Sequence, residues 1–235
     1  MSIRSVYEAI LSSGDVAIDV GAHTGKHAIP MAKAVGVDGC VYAFEPIAEK
    51  CARLIEYSLQ TPDVRICAMN ACVGEKSGEV SFTYLPDDPG KSAIHVRQKL
   101  QGDTGTLKHE RVVPMVSLDQ CLARSQKVRF IKIDVEGAEL SVLQGCSNII
   151  SSCAPIIHAE VGESPLSAHG IEAREIYQFF ASKDYVVFDI IGTYIPTEEG
   201  FLQSIAAGQV YDYFACPAGS VDMVGLSAAA ASVWR

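Results

Sequence analysis

One apolar run, ending in a glycine turn and restarting as a helix, limits the fold of this chain more than any other feature. Residues 16–22 read as a short buried strand, residues 21–35 as a turn and a helix, and residues 40–44 as a second apolar strand. Pro30 falls within that helix and either marks its first turns or bends it. Residues 47–59 form the next predicted helix, with Ile47, Cys51, Leu54 and Ile55 at i, i+4, i+7 and i+8. Residues 64–73 read as a third strand. Strands alternating with helices at this spacing imply βαβ units, and so an α/β fold: a doubly wound, mostly parallel sheet.

The pattern then changes. Residues 79–85 and 111–116 look like extended strands, and the stretch between them, 86–110, is rich in Gly, Asp, Lys and Gln. An aperiodic stretch of that length reads as a functional loop, here a lid on an insertion spanning about 78–116. Ser117-Leu118-Asp119-Gln120 fits a capping box and predicts a short helix. A strand over 128–134 follows, then a helix over 136–144 ended by Gly145, then a strand over 154–161. Ala173, Ile176, Tyr177 and Phe180 stripe a later helix. Segments 185–191 and 211–216 close the sheet as an antiparallel pair at one edge, and 217–235 reads as a tail. No internal repeat is visible, so the expectation is one domain over 1–235.

Three strand ends carry the chemistry. The first is Asp19-Val20-Gly21-Ala22-His23-Thr24-Gly25, with glycines that permit a tight turn and close approach to a ligand. Open α/β sheets bind ligands at the carboxyl ends of their strands. A dinucleotide site would carry G-x-G-x-x-G here, to offer bare helix N–H groups to a pyrophosphate. Asp19 would repel that group and favour a cationic ligand, such as the ammonium of S-adenosylmethionine; the alternative is a structural turn with Asp19 satisfied by backbone N–H groups. The second strand end is Phe44-Glu45-Pro46. Glu45, about 20 residues beyond Gly25, stands where a carboxylate accepts hydrogen bonds from ribose hydroxyls. The third is Ile131-Lys132-Ile133-Asp134-Val135-Glu136-Gly137-Ala138-Glu139, with Asp134 facing the crevice and Glu136 and Glu139 in the first turn of the next helix, where carboxylates are stabilised.

Charge and cysteine content narrow the classes. The net charge of −9 disfavours a general nucleic-acid binder, which needs a basic surface. No targeting or membrane-spanning segment is visible, so a cytoplasmic protein without membrane or nucleic-acid partners is expected. The eight cysteines form no C-x-x-C pair and read as reduced, mostly buried thiols.

The motifs D-V-G-A-H-T-G, F-E-P, M-N-A-C-V-G, V-S-L-D and I-K-I-D-V-E-G-A-E with L-x-G, in this order and spacing, closely resemble those of the FkbM family of S-adenosylmethionine-dependent methyltransferases. The resemblance runs over about 15–163. It implies the class I Rossmann-like methyltransferase fold and O-methylation of sugar or natural-product hydroxyls. By position it implies that Asp19, Gly21, His23, Thr24 and Gly25 line the methionine end of the cofactor, with His23 where the family often has Asn. Glu45 would hold the ribose, Asn70 and Ala71 would lie beside the adenine, and Asp134 close to the sulfonium.

A hydroxyl acceptor must lose its proton near the moment of transfer, which calls for a general base or a metal. Asp134 and His158 are the candidate catalytic residues, His158 against the alternative of a packed core histidine. No metal is expected; the alternative is a Mg2+ site built from Asp134, Glu160 and Glu163. Lys91, Arg97, Lys99 and Lys108 make the lid locally basic, which suggests an acceptor of carboxylate, phosphate or uronate character, against the plainer reading of a solvated loop. A nicotinamide-dependent oxidoreductase and a non-catalytic nucleotide-binding module are the rival classes. The expected partner is a small-molecule hydroxyl acceptor; the oligomeric state is not legible.

Overall fold

The structure is a computed structural model and describes residues 2–85, 93–94, 109–122 and 127–220. It opens with helix α1 (Ile3–Ile10), capped by Ser2, whose side chain accepts from the Ser5 N–H. Strand β1 (Val16–Val20), α2 (Ala28–Val35), β2 (Cys40–Phe44), α3 (Ala48–Gln60) and β3 (Ile66–Met69) follow. Next come β4 (Cys72–Val73), β5 (Gly78–Tyr84), β6 (Ala93–Ile94), β7 (His109–Val116) and the short α4 (Leu118–Cys121). The remaining elements are β8 (Val128–Ile133), α5 (Glu139–Gly145), α6 (Ser147–Cys153), β9 (Ile156–Glu160), α7 (Glu163–Ala168), α8 (Ala173–Ser182), β10 (Tyr185–Asp189), β11 (Tyr194–Ile195), α9 (Glu198–Ala206) and β12 (Asp212–Pro217).

The main sheet has the order β11-β10-β12-β9-β8-β1-β2-β3. Strands β3, β2, β1, β8 and β9 pair in parallel, while β12 runs antiparallel to both β9 and β10. The antiparallel edge expected from 185–191 and 211–216 is present, with β11 added outside it. Two apolar clusters cover the faces. One gathers Val6, Tyr7, Met31 and Leu54 from α1, α2 and α3 over Ala17, Val41 and Phe130. The other gathers Val142, Leu143, Ile176, Phe180 and Phe201 over Ile18, Ile131 and Ile157. Helices on both faces of a largely parallel sheet make the doubly wound arrangement.

The insertion is a second sheet of order β4-β7-β5-β6. Strands β5 and β7 pair antiparallel, Gly78 opposite Met115 and Tyr84 opposite His109. The lid expected over 86–110 lies almost wholly outside the described residues, as does 221–235 of the tail.

Four local expectations are corrected. The single strand over 64–73 is two: β3 stays in the main sheet, and the chain bends at Asn70 and Ala71 so that β4 pairs with β7 instead. The capping box at Ser117 does not form. Ser117 Oγ donates to the Gly145 carbonyl, and Asp119 accepts from the Asn148 and Ile149 N–H groups at the start of α6. Helix α5 starts at Glu139, because Glu136 (φ 56°) and Gly137 (φ 106°) form a left-handed turn before it. Gly145 is the last residue of α5 rather than a stop beyond it. A Cβ there would run into the Gly74 carbonyl oxygen, so the glycine lets α5 pack against the start of the insertion. Pro30 lies in the first turn of α2, where its missing N–H costs nothing.

Candidate active site

The strand order reverses between β1 and β8, and the crevice of such a sheet opens at the carboxyl ends of those two strands. Gly21 (φ 78°) closes the gap between them: a Cβ at that position would collide with the Asp134 carbonyl oxygen. The Asp134 N–H donates to the Val20 carbonyl (3.1 Å), and the N–H groups of Gly21 and Ala22 both donate to the Phe44 carbonyl (3.0 Å). The ends of β1, β2 and β8 are thus tied together by backbone before any ligand is considered.

His23 sits in the left-handed region (φ 49°), where His and Asn are enriched among non-glycine residues. The turn aims the His23 N–H at Glu45 Oε2 (2.7 Å), and the Ile47 N–H reaches Oε1 (2.8 Å). Burial raises the pKa of Glu45, against the pull of these two N–H donors and of Lys50. The carboxylate is therefore fixed in orientation, with a lone pair on each oxygen left for a ligand.

Beneath this floor runs a buried polar row. Asp19, Lys132 and His158 are in register on adjacent strands, so the pleat sends all three to one face of the sheet. Lys132 Nζ lies 3.3 Å from Asp19 Oδ1 and 3.2 Å from Asp134 Oδ2, and donates to the Gly21 carbonyl (3.1 Å). Burial alone would lower the Lys132 pKa; Asp19 and Asp134 outweigh it and raise it. One ammonium thus clamps the turns after β1 and β8 together. His158 Nε2 lies 2.8 Å from Asp212 Oδ1, and its ring packs against Phe214.

Above the floor is a cavity of about 460 Å³. Gly21, Ala22, His23 and Thr24 line one side, and Glu45, Pro46 and Ile47 the next. Ala71, Cys72 and Val73 of the β3–β4 bend, with Phe82 and Ile94 of the inserted sheet, make an apolar wall. Asp134, Val135, Glu136 and Glu160 stand at the opposite end. A second cavity of about 610 Å³ shares Asp134, Glu136 and Glu160 with the first and extends to Glu139, Glu163, Pro165, Ile205 and Tyr211. Burial pushes Glu139 up to about 7, against N–H bonds from Gly137 (3.0 Å) and Val135 (3.3 Å). Partial burial of Glu160, then the neighbouring carboxylates Asp134, Asp212 and Glu136, pushes it up to about 7 as well.

Of the residues singled out from sequence, Gly21, His23, Thr24, Glu45, Ala71 and Asp134 line the first cavity. Asp19 does not: it is fully buried below the floor, its charge met by Lys132 rather than by anything in the crevice. Gly25 packs against Leu54 and Ile29, and Asn70 holds the Glu45 carbonyl through its Nδ2 (2.9 Å). His158 is fully buried and lines neither cavity. Asp134, Glu160 and Glu163 are not gathered for an ion. Among the described residues no three His, Cys, Asp or Glu side chains could hold a metal, and Asp134 is turned toward Lys132. The basic run over 91–108 lies outside the described residues apart from residues 93 and 94. Sequence reasoning gave no role to Lys132 or to the apolar wall. A lone lysine inside the apolar strand 128–133 was the available signal for the first, since a buried charge requires a partner.

Known proteins resemble this chain in sequence and fold. The Methyltransferase FkbM domain matches residues 19–187. The hexuronic acid methyltransferase AglP of Haloferax volcanii is 28% identical over 181 residues, covering 74% of this chain and 70% of AglP. The crystal structure of methyltransferase FkbM from Methylobacillus flagellatus superposes with a TM-score of 0.53 at 16% identity, over 88% of this chain and 47% of that one. This chain therefore spans about half the length of that protein. A Streptococcus mutans protein described as a methyltransferase and solved in complex with SAH superposes at a TM-score of 0.50 and 8% identity, over 91% of this chain and 94% of that one. The two structures establish the class I Rossmann-like fold. No helix among the described residues is long and apolar enough to cross a membrane.

Proposed function

The chain belongs to the FkbM methyltransferase family, and on that premise we propose that it moves a methyl group to a hydroxyl of a sugar or sugar-like small molecule. It is an S-adenosylmethionine-dependent methyltransferase; the oxygen acceptor is the part proposed. One observation carries that reading: two cavities share the lining residues Asp134, Glu136 and Glu160, so a donor in one and an acceptor in the other would meet at these carboxylates.

The first cavity suits the donor. A buried carboxylate held by two backbone N–H groups matches a ribose diol, and the wall of Ala71, Cys72, Val73 and Phe82 matches a flat apolar base. Carboxylates at the far end suit a sulfonium. Bound there, S-adenosylmethionine supplies an electrophilic methyl group. The protein's task is alignment and exclusion of water. Glu45 would hold the ribose, while Lys132 would keep Asp134 in place near the methyl. The acceptor oxygen bonds to the methyl carbon as the S–CH3 bond breaks, and that electron pair stays on sulfur. Positive charge passes to the acceptor oxygen, among carboxylates that favour it. The hydroxyl proton must then leave, and Glu160, titrating at about 7 and lining both cavities, is placed to take it.

The test is a transfer assay with S-adenosylmethionine and methyl glycosides of neutral, amino and uronic sugars, analysed by mass spectrometry for methyl ethers. Formation of a methyl ether on any of them supports the reading. Methylation only at nitrogen or carbon would sink it.

A further inference from the structure

The second cavity is walled by carboxylates. Asp134, Glu136, Glu139, Glu160 and Glu163 line it, and no Lys, Arg or His among the described residues does. An acidic surface alone would be unremarkable, but one member is not solvated. Glu139 is 2% exposed, and its Oε2 has no hydrogen-bond partner, while Oε1 takes the N–H groups of Gly137 and Val135. An unmatched carboxylate oxygen in a buried wall is costly unless a donor reaches it. The remaining lining is neutral, with Ser164, Ser167, Ile205 and Tyr211 among it. Lys132, beside Asp134, is already shared between Asp19 and Asp134.

We infer that this cavity is the acceptor site and that it selects an acceptor carrying a protonated amine near the hydroxyl to be methylated, such as an amino sugar, over one carrying a carboxylate. This deepens the functional reading above and rests on it. A uronate carboxylate would meet Glu160 and Glu163 with no cation in the described lining, whereas an ammonium offers three donors to a wall of carboxylates in which Glu139 Oε2 has no partner. Glu160 and Glu139, both pushed up to about 7, would ionise more readily beside that ammonium. The acceptor thus differs in charge from a hexuronic acid. The transfer itself is unchanged: the hydroxyl oxygen takes the methyl, sulfur keeps the electron pair, and the proton goes to a carboxylate.

The experiment uses the full chain saturated with S-adenosylhomocysteine, whose own binding is measured first by calorimetry. Methyl glucosaminide, methyl glucoside and methyl glucuronide are then titrated in separately. The amino sugar should bind at least about tenfold more tightly than the glucuronide, the change from one attractive to one repulsive contact of ordinary strength. Glu160→Gln with Glu163→Gln should remove most of that gap. Equal binding of all three, tighter binding of the glucuronide, or no measurable binding of the amino sugar would overturn the inference. Failure of S-adenosylhomocysteine to bind would instead overturn the functional reading on which it stands.

Discussion

Glu139→Gln isolates the cost of a buried carboxylate, and its size can be worked from the structure. Glu139 opens α5 with its side chain 2% exposed, and burial raises its pKa from 4.5 to about 7. Below about 4.5 the carboxyl is protonated whether the chain is folded or not. Between about 4.5 and 7 the unfolded chain releases the proton and the folded chain keeps it, so stability falls as pH rises through this window. The penalty is complete above about 7. At about 1.4 kcal/mol per unit, the shift corresponds to about 3 kcal/mol. Gln keeps an oxygen for the Val135 and Gly137 N–H groups but never ionises. For a chain of this size, about 3 kcal/mol is roughly 6–12 °C in melting temperature. Thermal unfolding followed by circular dichroism at pH 4.5 and 8.5 reads it directly. The melting temperature of the variant minus that of the parent should grow by about that amount between the two pH values. A difference that stays constant with pH would refute the argument, since it would mean the carboxyl titrates alike in both states.

Other outcomes follow from the same geometry. Lys132→Met should cost roughly 3–5 kcal/mol, because it leaves Asp19 buried and unpaired, and chemical denaturation should detect it. Adding Asp19→Asn to that variant should recover a large part of the loss. Glu45→Gln should weaken S-adenosylhomocysteine binding by about 1.5–3 kcal/mol in calorimetry, as a charged acceptor in a buried site becomes neutral. Gly21→Ala should both destabilise the chain and abolish donor binding, because its Cβ meets the Asp134 carbonyl. Asp134→Asn should lower the transfer rate more than it lowers donor affinity, and equal losses in both would argue against its position beside the methyl.

The architecture was legible where local periodicity and turn chemistry agree. The strand–turn–helix unit around Gly21, the stripe of Ala173, Ile176 and Phe180, and the antiparallel closing strands needed no long-range information. Misreadings arose where tertiary partners decide. Residues 64–73 are apolar throughout, and nothing local says that Cys72 and Val73 will pair with β7 rather than prolong β3. Ser117 and Asp119 have the spacing of a cap, but the carbonyl of Gly145 and the free N–H groups of α6 compete for their side chains and win. At the site, sequence position identified Glu45 and Asp134 as strand-end carboxylates. It did not show that Asp19 points under the sheet, because that depends on the register that brings Lys132 alongside. The second cavity was illegible for the same reason, as its walls come from α5, α7 and α9 and the ends of β8 and β9.

The most direct test of the account is a crystal structure of the full chain with S-adenosylhomocysteine. The ribose hydroxyls should lie within hydrogen-bonding distance of Glu45, the adenine against Ala71, Cys72 and Phe82, and the sulfur beside the shared carboxylates Asp134, Glu136 and Glu160. An adenosyl group bound outside this cavity, or bound in it with the sulfur turned away from those carboxylates, would contradict the assignment of donor and acceptor rooms.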